Sequence, residues 1–515
     1  MDSIDRADAE DRNGSDASLE TNPAAFAAPV VSVESDDYVS AIVGLQVAAR
    51  RLLDSARVII TALALAFVFR AFFVEPFIIP TGSMAPTLLG DHWSVVCPSC
   101  GYTFDTVQRL SPDESENISI RCGNCREFFV PPAAGLTRKP GDRILVHKWI
   151  DSLVPPKRWE VCVFRDPSSP LQHYIKRIVG LPQERIEIID GDVYINDVIV
   201  RKPAWVQQAL WQPVYAQEFP ELARSMKFSR WIEAGAVRDQ GRWSGLDESV
   251  LRFAGQPGQS GSLQFIADAG EYCFDYSAYN GTSDGNRVHD VKVSTGIQWE
   301  DQVARCAFSL RLANASVHCT FSASGRITVE IQTDRTREAT EAHTFENVYD
   351  FDSRVPVCVE LFHLEQKFVL QCNNRTIFET GDEFGFARAA DRRGKPSEQF
   401  RLEIRGSEGP FSLNQFRLHR DVYYTESRMA VRAVRGEPFS LERGEYFALG
   451  DNSADSKDSR EWLEYGPHLP SGYRLGTIPR SKIVGKAAFV YLPGLQKGFA
   501  GSIRMSDIGR GRFIR

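Results

Sequence analysis

A serine directly follows a long apolar segment, and its neighbours differ from the usual serine-hydrolase pattern. Ser83 lies in "FIIPTGSMAPTLLGD", after the run "VIITALALAFVFRAFFVEP". A serine hydroxyl is a weak nucleophile at its ordinary pKa and needs a base within hydrogen-bonding reach. None of the nine histidines stands in a recognisable triad context, and no G-x-S-x-G motif lies near the segment. If Ser83 is reactive, another kind of side chain must act as its base.

Lys176 is the candidate for that base. It lies in "HYIKRIVGLP", where strand alternation places it on one face with Tyr174 and Ile178. Burial among apolar side chains lowers the pKa of a lysine by up to several units, so a buried Lys176 can accept a proton near neutral pH. The alternation alone is equally compatible with a solvated lysine on the outer face of a sheet.

Four motifs that bear on this chemistry occur in a fixed order. They are "FIIPTGSMAPTL", "GDRILVHKW", "YIKRIVGLPQE" and "LGDNSADSKDSREW". With them the chain resembles the type I signal peptidases, membrane-bound Ser/Lys endopeptidases that remove signal peptides from exported preproteins. The resemblance covers roughly residues 56–95, 141–200 and 444–493. Four motifs in order are more specific than any one of them alone.

The resemblance implies a role for each residue of the reaction. Ser83 would be the nucleophile, and Lys176 the general base and later the general acid to the leaving amine. The backbone N–H of Ser83 and the hydroxyl of Thr81, where relatives often have serine, would form the oxyanion hole. An acyl-enzyme would form and be hydrolysed, with no cofactor for catalysis. Preproteins cut after small residues of the A-x-A type would be the substrates.

Four further residues are implied as support for the site. Ser456 matches a family serine that hydrogen-bonds the lysine ammonium. Asp458 and Arg460 match a structural ion pair, and Asp142 in "GDRILV" matches a position that is more structural than catalytic.

The apolar run is predicted to be one transmembrane helix, residues 56–77. A spanning helix needs about 20 mainly apolar residues, and this segment has that length. Arg50, Arg51 and Arg57 precede it, so the positive-inside rule places the N-terminus in the cytoplasm and the catalytic domain on the outer face. We therefore predict a single-pass protein of the cytoplasmic (inner) membrane, with the lipid membrane as a partner. A buried core helix is the alternative.

Composition bounds the remaining segments and excludes one class of partner. A net charge of −7 gives no basic surface for nucleic acid. Residues 1–45 are acidic without periodic apolar positions, which predicts a disordered cytoplasmic tail.

The chain of 515 residues exceeds the size of one hydrophobic core. The predicted fold class is mainly β, with a signal-peptidase-type all-β catalytic core at residues 78–95, 141–202 and 436–493, and a C-terminal tail at 494–515.

A zinc-ribbon-like insertion is predicted at residues 96–130. Cys97, Cys100, Cys122 and Cys125 form two C-x₂-C pairs with a gap of about 20 residues, which is typical of structural zinc sites. Because the predicted topology places this segment outside the cytoplasm, two disulfides are the alternative. A bridge between Cys306 and Cys319 also stays open.

A second insertion, residues 203–424, contains short alternating strings such as "RITVEIQT" and "FRLEIRG" between turn residues. This pattern predicts a jelly-roll-like β-sandwich similar to lectin or laminin-G domains. Such a sandwich is compatible with a glycan ligand, with a protein ligand, and equally with a folded spacer that has no ligand.

Three functions follow from these motifs. The first is a membrane-bound signal peptidase. The second is a catalytically silent membrane-anchored scaffold that binds a partner through the sandwich, and the third is a dedicated Ser/Lys protease of narrow substrate range. The presence of the whole Ser/Lys set disfavours the silent scaffold.

Overall fold

The structure is a computed structural model, and it describes residues 35–72, 74–107, 119–131, 136–148, 154–166, 171–220, 230–234, 241–266, 273–281, 285–312, 315–333, 341–381, 400–425, 431–463, 472–492, 496–497, 503–504 and 511–514. Two compact units are present, residues 1–68 and residues 69–515. The described part of the chain is mainly β, as predicted.

The described part of the first unit is helical. The helix α1 (Ser35–Phe72) is 38 residues long. Among the residues that the structure describes, no helix is both long enough and apolar enough to cross a membrane, so the predicted span at 56–77 is not confirmed. The predicted boundaries are also wrong at both sides, because residues 35–45 of the supposed tail are helical and Val74–Ile78 is a strand. Pro76 cannot continue a helix, since it lacks an N–H, and Val74–Ile78 pairs instead with Arg143–His147.

Besides the end of α1, the described residues of the second unit contain 34 strands, one short α-helix and two 3-10 turns, Ser453–Asp455 and Arg480–Lys482. The strands that precede the short helix are β1 (Val74–Ile78), β2 (His92–Val96), β3 (Thr103–Thr106), β4 (Ile120–Arg121), β5 (Phe128–Phe129), β6 (Leu136–Lys139), β7 (Arg143–His147), β8 (Val161–Arg165), β9 (His173–Gly180), β10 (Arg185–Ile189), β11 (Asp192–Ile195) and β12 (Val198–Ile199). The helix α2 (Ala204–Leu210) follows.

The next group of strands is β13 (Gln212–Ala216), β14 (Trp231–Ala234), β15 (Arg242–Ser244), β16 (Val250–Ala254), β17 (Ser260–Phe265), β18 (Val291–Trp299), β19 (Arg305–Leu312), β20 (Ala315–Ser322), β21 (Ile327–Thr333), β22 (Glu341–Phe345), β23 (Val357–Leu364), β24 (Lys367–Cys372), β25 (Arg375–Glu379), β26 (Arg401–Ser407) and β27 (Phe411–Arg420). The last group is β28 (Phe439–Ser440), β29 (Glu445–Leu449), β30 (Ile478–Pro479), β31 (Ile483–Leu492), β32 (Gln496–Lys497), β33 (Ile503–Arg504) and β34 (Arg512–Phe513).

One antiparallel sheet, here called the core sheet, gathers strands from distant parts of the sequence. Its order is β1-β7-β31-β8-β9-β29-β30, with β34 paired to β31. A smaller sheet has the order β12-β11-β10-β28, and three of its strands, β10 to β12, directly follow β9 along the chain. The motifs of the sequence analysis therefore meet in pairs on adjacent strands: β1 pairs with β7, and β9 pairs with β29.

Strands β13–β27 form a two-layer structure, here called the sandwich. One sheet has the order β15-β16-β27-β18-β23-β24-β25 with β13 on β27, and the other has the order β14-β17-β26-β19-β20-β21-β22. Burial alternates along these strands, as in β18, where every second side chain is buried from Val291 to Trp299. Inward-facing residues from both sheets share one hydrophobic core, which is the packing expected of a β-sandwich.

Residues 92–139, here called the ribbon, contain the three-stranded sheet β3-β2-β6 and the hairpin β4-β5. The four predicted cysteines and Val95, Phe104 and Ile120 form its small core.

Buried charges hold the chain where it passes from the smaller sheet into the sandwich and back. The ammonium group of Lys202 forms ion pairs with Asp421, at 2.7 Å, and with Glu365. Gln207 of α2 donates a hydrogen bond to Asp421 at 2.7 Å. Burial alone would lower the pKa of Lys202, but Asp421 and Glu365 hold it well above its ordinary value.

Part of the predicted C-terminal tail packs onto the core. β34 pairs with β31, and the guanidinium of Arg512 donates to the carbonyl of Thr87 at 2.8 Å and to Asp142 at 3.0 Å. The sequence suggested only a basic surface segment at this position.

Candidate active site

Ser83 lies on a turn-rich loop between β1 and β2, here called the serine loop (residues 80–91). Two side chains of this loop, Met84 and Leu88, are fully buried in the cluster that includes Ile144 and Val146. The N–H of Leu88 donates to the carbonyl of Met84 at 2.9 Å, which closes one turn. The apolar residues thus pin the loop to the core sheet while Ser83 stays half-exposed.

Asp142 fixes the far end of the same loop. Its buried carboxylate accepts a hydrogen bond from the N–H of Leu89 at 3.0 Å and one from Arg512 at 3.0 Å. Its backbone pairs with Ile79 and Leu89 at 2.9 Å. The position predicted as structural therefore contacts the serine loop but not Ser83.

Lys176 lies in β9 between two paired strands, β8 and β29, and is 2% exposed. The alternative of a solvated lysine therefore does not hold. Its Nζ donates to the Oγ of Ser83 at 2.5 Å, and the Tyr174 ring lies 5.8 Å from the same Nζ. Burial lowers the pKa of Lys176 to about 8, although the carboxylates of Asp458 and Asp451 act in the opposite direction.

Asp458 and Arg460 form a buried bidentate ion pair behind this dyad. The Nε of Arg460 donates to Oδ1 at 2.8 Å and a terminal nitrogen donates to Oδ2 at 2.7 Å. The N–H of Gly450 donates to the same carboxylate at 3.0 Å. Burial alone would raise the pKa of Asp458, but the guanidinium and this N–H hold it below its ordinary value. A fixed negative charge consequently faces the lysine.

Ser456 lies at the site but has a different partner from the one that the resemblance implied. Its hydroxyl donates to Oδ2 of Asp458 at 2.9 Å rather than bonding Lys176. The packing around it is close, because a Cβ added to Gly450 would lie 2.1 Å from its Oγ and 2.5 Å from the carbonyl oxygen of Ser83. The glycine of the "LGDNS" motif is needed for this approach.

Thr81 is exposed and lies two residues before Ser83 in the serine loop. A hydroxyl and the backbone N–H of Ser83 are therefore available on the loop that carries the nucleophile. The two donors predicted for the oxyanion hole therefore belong to one loop, and their role stays a prediction.

Sequence reasoning missed three contributions to the site. Arg177, which strand alternation places on the face opposite to Lys176, is fully buried and forms a bidentate ion pair with Asp451, with both bonds at 2.7 Å. Because both faces of β9 are buried, the alternation of side chains along this strand does not predict which of them are exposed. The adjacent Lys-Arg pair and the acidic "GDN" segment were the only available signals.

The other two contributions come from Tyr279 and Asn280, which belong to the predicted sandwich insertion. Asn280 and Asn452 exchange side-chain hydrogen bonds at 2.7 and 2.6 Å, and the Tyr279 hydroxyl accepts from the N–H of Gly90 at 3.2 Å. No local pattern in "DYSAYNGTSDG" indicates such contacts, because they join residues more than 170 positions apart.

The four ribbon cysteines are brought together. Their Sγ atoms all lie within 4.8 Å of one another, with 3.7 Å between Cys97 and Cys125 and 3.7 Å between Cys100 and Cys122. All four are free thiols. Sulfurs bound at about 2.3 Å to a tetrahedral zinc ion would lie about 3.8 Å apart, so the cluster fits such an ion. The suggested Cys306–Cys319 bridge is absent from the described residues, where both thiols are free and buried.

Comparison with known proteins identifies relatives of the regions that carry this site. The family model "Signal peptidase, peptidase S26" matches residues 52–111, 134–237 and 371–492, which together are more than half of the chain. Signal peptidase I of Rickettsia typhi (strain ATCC VR-144 / Wilmington) and that of Rickettsia prowazekii (strain Madrid E) are each 32% identical over 136 residues, 26% of this chain. The chain spans about 40% of the length of these relatives.

Solved structures show only a remote likeness. An endo-β-1,3-glucanase from Pyrococcus furiosus has a TM-score of 0.29 and 10% identity, covering 47% of this chain and 100% of that one. The carbohydrate-binding module CBM66 from Bacillus subtilis has a TM-score of 0.24 and 7% identity, covering 37% and 96%. At such scores neither structure supports a conclusion about this chain.

Proposed function

Because this chain belongs to the signal peptidase family, peptidase S26, we propose that it removes N-terminal signal peptides from exported preproteins. The observation that carries the proposal is the contact between Nζ of Lys176 and Oγ of Ser83 at 2.5 Å. The lysine is buried and its pKa is lowered to about 8, so a substantial fraction is neutral near physiological pH. A nucleophile and a usable base therefore lie in hydrogen-bonding contact.

The reaction is acyl transfer through Ser83. Neutral Lys176 takes the proton of the hydroxyl as Oγ attacks the scissile carbonyl. The oxyanion is stabilised by the N–H of Ser83 and the hydroxyl of Thr81, and one such donor is worth roughly 3–4 kcal/mol. The Lys176 ammonium then gives its proton to the leaving amine, and the acyl-enzyme remains. Lys176 next activates water, which hydrolyses the ester and restores the serine.

The buried pairs behind the dyad position these two groups. The carboxylate of Asp458 accepts hydrogen bonds from Arg460, Gly450 and Ser456 at 2.7–3.0 Å. These bonds keep it from moving closer to Lys176 and forming a direct ion pair with it. Two opposing effects therefore set the pKa of Lys176. Burial lowers it, and the fixed carboxylate of Asp458 prevents a larger decrease. Ser456 acts here through Asp458, which is our revision of the role implied by the family resemblance.

The location and substrates are part of the same proposal. The apolar run that follows Arg57 anchors the protein in the cytoplasmic (inner) membrane as a single pass, with the N-terminus in the cytoplasm and the catalytic domain outside; its apolar composition and the arginines that precede it support this. Preproteins with small residues at positions −1 and −3 are the substrates. A glycan or protein ligand of the sandwich stays a prediction.

The ribbon cysteines hold a structural zinc ion in this proposal. Cys97, Cys100, Cys122 and Cys125 supply four sulfur ligands at separations that suit a tetrahedral site. Bound there, zinc would link the two C-x₂-C pairs of the ribbon, and it would take no part in the acyl transfer.

A dedicated protease of narrow range is the second candidate, and one observation favours it. Tyr279 and Asn280 of the sandwich contact the serine loop and its partner Asn452, so a region outside the usual family motifs borders the site. A silent scaffold has no comparable support, because the Ser83–Lys176 contact is intact.

The test is cleavage of a panel of preproteins by the full-length protein in vesicles, with the new N-terminus of each product mapped by mass spectrometry. Each substrate is paired with a variant in which the small residue at −1 is replaced by leucine. The proposal expects one cut after the small residue and loss of that cut in the paired variant. Cleavage of a single substrate in the panel would favour the dedicated protease, and cleavage that ignores the −1 residue would contradict the signal peptidase assignment.

A further inference from the structure

We propose that the sandwich is part of the active-site support, and that Tyr279 and Asn280 are positioning residues for the serine loop. The segment that carries them lies between β17 and β18 of the sandwich. This inference rests on the proposed function, because positioning affects a rate only if Ser83 reacts. It assigns a role to an insertion that is otherwise a spacer or a binding module.

Tyr279 closes one side of the serine loop. Its hydroxyl accepts a hydrogen bond from the N–H of Gly90 at 3.2 Å. Its ring lies against Gly82, where an added Cβ would be 2.3 Å from a ring carbon. Its carbonyl accepts from the Val107 N–H at 2.8 Å and from the Thr106 hydroxyl at 3.2 Å, so the ribbon also holds it. One side chain therefore contacts both Gly82, the residue before the nucleophile, and Gly90, near the end of the serine loop.

Asn280 acts through Asn452. The two amides exchange hydrogen bonds at 2.7 and 2.6 Å. Asn452 also donates from its side chain to the carbonyl of Gly82 at 3.0 Å and from its backbone to the carbonyl of Ser83 at 3.1 Å. A continuous chain of bonds therefore joins the sandwich to the two peptide units that flank the Ser83 side chain.

Hydrogen bonds hold the described residues of this segment, 273–281 and 285–288, in place. The N–H of Val288 donates to the carbonyl of Cys273 at 2.7 Å, and the N–H of Asp275 to that of Asn286 at 2.9 Å. Arg420 of β27 donates to the carbonyls of Asp275 and Tyr276 at 3.0 and 3.2 Å.

The ribbon holds the same segment from the other side. The hydroxyl of Tyr276 donates to the carbonyl of Arg121 at 2.8 Å, and the Arg126 guanidinium lies 4.3 Å from the Tyr276 ring. Sandwich and ribbon thus converge on the short segment that reaches the serine loop.

The contact matters for the reaction because it acts on backbone next to the nucleophile. A misplacement of about 1 Å in a reacting group costs on the order of 100-fold in rate. Ser83 is held to Lys176 by one hydrogen bond, so the carbonyls of Gly82 and Ser83 determine where its Oγ lies. Loss of the hydrogen bonds that hold the Gly82 and Ser83 carbonyls should therefore reduce turnover, while Lys176 stays buried.

The test compares Asn280→Ala and Tyr279→Phe with matched variants of the same sandwich, in the full-length protein. Asn414→Ala removes an amide that bonds Gln298 at 3.2 Å, and Tyr349→Phe removes a hydroxyl that bonds the Ser322 carbonyl at 2.8 Å. Neither control residue contacts the serine loop. The readouts are kcat and KM on an A-x-A peptide, the pH profile of kcat/KM, Tm, and hydrogen exchange of peptides that cover residues 80–91.

For a positioning role, Asn280→Ala should lower kcat about 10- to 100-fold with KM changed less than about 2-fold. Tyr279→Phe should lower kcat about 5-fold, as for the loss of one hydrogen bond. The midpoint of the pH profile should stay in place, because Lys176 stays buried, and residues 80–91 should lose exchange protection. Both controls should match the wild type.

The inference is overturned if Asn280→Ala and Tyr279→Phe behave as their controls do in kcat and in exchange. It is also overturned if their losses come with a shift of the pH midpoint toward the ordinary lysine value, which indicates general opening of the site. A folded wild type without peptidase activity would defeat the proposed function, and the exchange comparison would still decide whether the sandwich holds the loop. If Asn280→Ala fails to fold, Tyr279→Phe decides.

Discussion

In the proposed reaction, Lys176 is the residue whose protonation state determines the rate. A lysine that is 2% exposed cannot keep its ordinary pKa without full charge compensation, and its nearest hydrogen-bond partner is the neutral hydroxyl of Ser83. Asp458, Asp451 and Asp455 raise its pKa, while burial and Arg460 lower it, with burial the largest effect. The balance leaves a base that is effective about two pH units below a solvated lysine.

The pH dependence of kcat/KM follows from this balance. Neutral Lys176 is the active form, so kcat/KM should rise with pH and reach half of its plateau at about pH 8. Asp455→Asn removes a negative charge that stabilises the ammonium, and it should move the midpoint to lower pH. Rates measured between pH 6 and 10.5 on an A-x-A peptide check both. A midpoint near the ordinary lysine pKa of about 10.4 would contradict the buried base.

Stability should also depend on Lys176. The pKa of Lys176 is about 8 in the folded state against an ordinary lysine value of 10.5, so between these pH values the unfolded state binds more protons and stability rises with pH. Below pH 8 the buried charge costs up to about 3 kcal/mol. Lys176→Met should therefore increase the free energy of unfolding at pH 7 by about 1–3 kcal/mol and flatten its pH dependence above pH 8.

Urea unfolding at pH 7 and pH 10 measures this effect. Lys292→Met is the matched control, since Lys292 is a partly buried lysine of the sandwich that pairs with Glu360 at 3.3 Å. An unfolding free energy that falls at pH 7 in Lys176→Met, as for loss of an ordinary core contact, would show that the lysine stabilises the fold instead.

At the scale of elements, the loops rather than the strands bring the site together. The core sheet places β9 beside β29, and the segment after β29 returns Asp458 and Ser456 to Lys176. The serine loop is held from both sides, by Asp142 on one side and by Asn452 on the other.

The ribbon is the element whose stability should depend on a metal. The purified protein should contain about one zinc ion per chain, and Cys100→Ser or Cys122→Ser should lose it and lower Tm, because a structural zinc site contributes folding free energy directly. Cys358→Ser, at an exposed cysteine of the sandwich, should retain both zinc and Tm. Metal analysis and thermal unfolding provide the measurement. Intact-mass data showing two disulfides and no zinc would contradict this assignment.

The sequence was most informative where function restricts several neighbouring residues at once. Ser83, Lys176, Asp458 and Arg460 were predicted from ordered motifs, and the structure brings them together. The burial of Arg177 was missed because both faces of its strand are covered. The contacts of Asn280 and Arg512 were missed because they join residues that are distant in sequence and follow no local pattern.

At the scale of the whole molecule, a buried charge network attaches the sandwich. Lys202 lies where the chain leaves the smaller sheet, and Asp421 lies where it returns. Lys202→Met should lower the free energy of unfolding by about 3–5 kcal/mol, because two buried carboxylates lose their cation. Lys292→Met, which breaks a partly exposed pair, should cost no more than about 1 kcal/mol. Equal effects of the two substitutions in urea unfolding would show that the network does not hold the sandwich.

The attachment has a consequence for the site. The sandwich is anchored at Lys202 and Asp421 and contacts the serine loop through Tyr279 and Asn280. Such a two-point attachment resists rotation of the sandwich against the core sheet. In our proposal the sandwich is therefore part of the support of the serine loop.

The central claim is that Ser83 and Lys176 act as a catalytic dyad, and one comparison tests it most directly. Purified full-length protein is assayed for cleavage of a preprotein with an A-x-A site, beside Ser83→Ala and Lys176→Ala, with thermal unfolding to show that each variant is folded. We predict cleavage by the wild type and a loss of at least about 1,000-fold in each variant, since the two side chains act as a unit. Retained cleavage in either folded variant, or none by the folded wild type, would contradict the account.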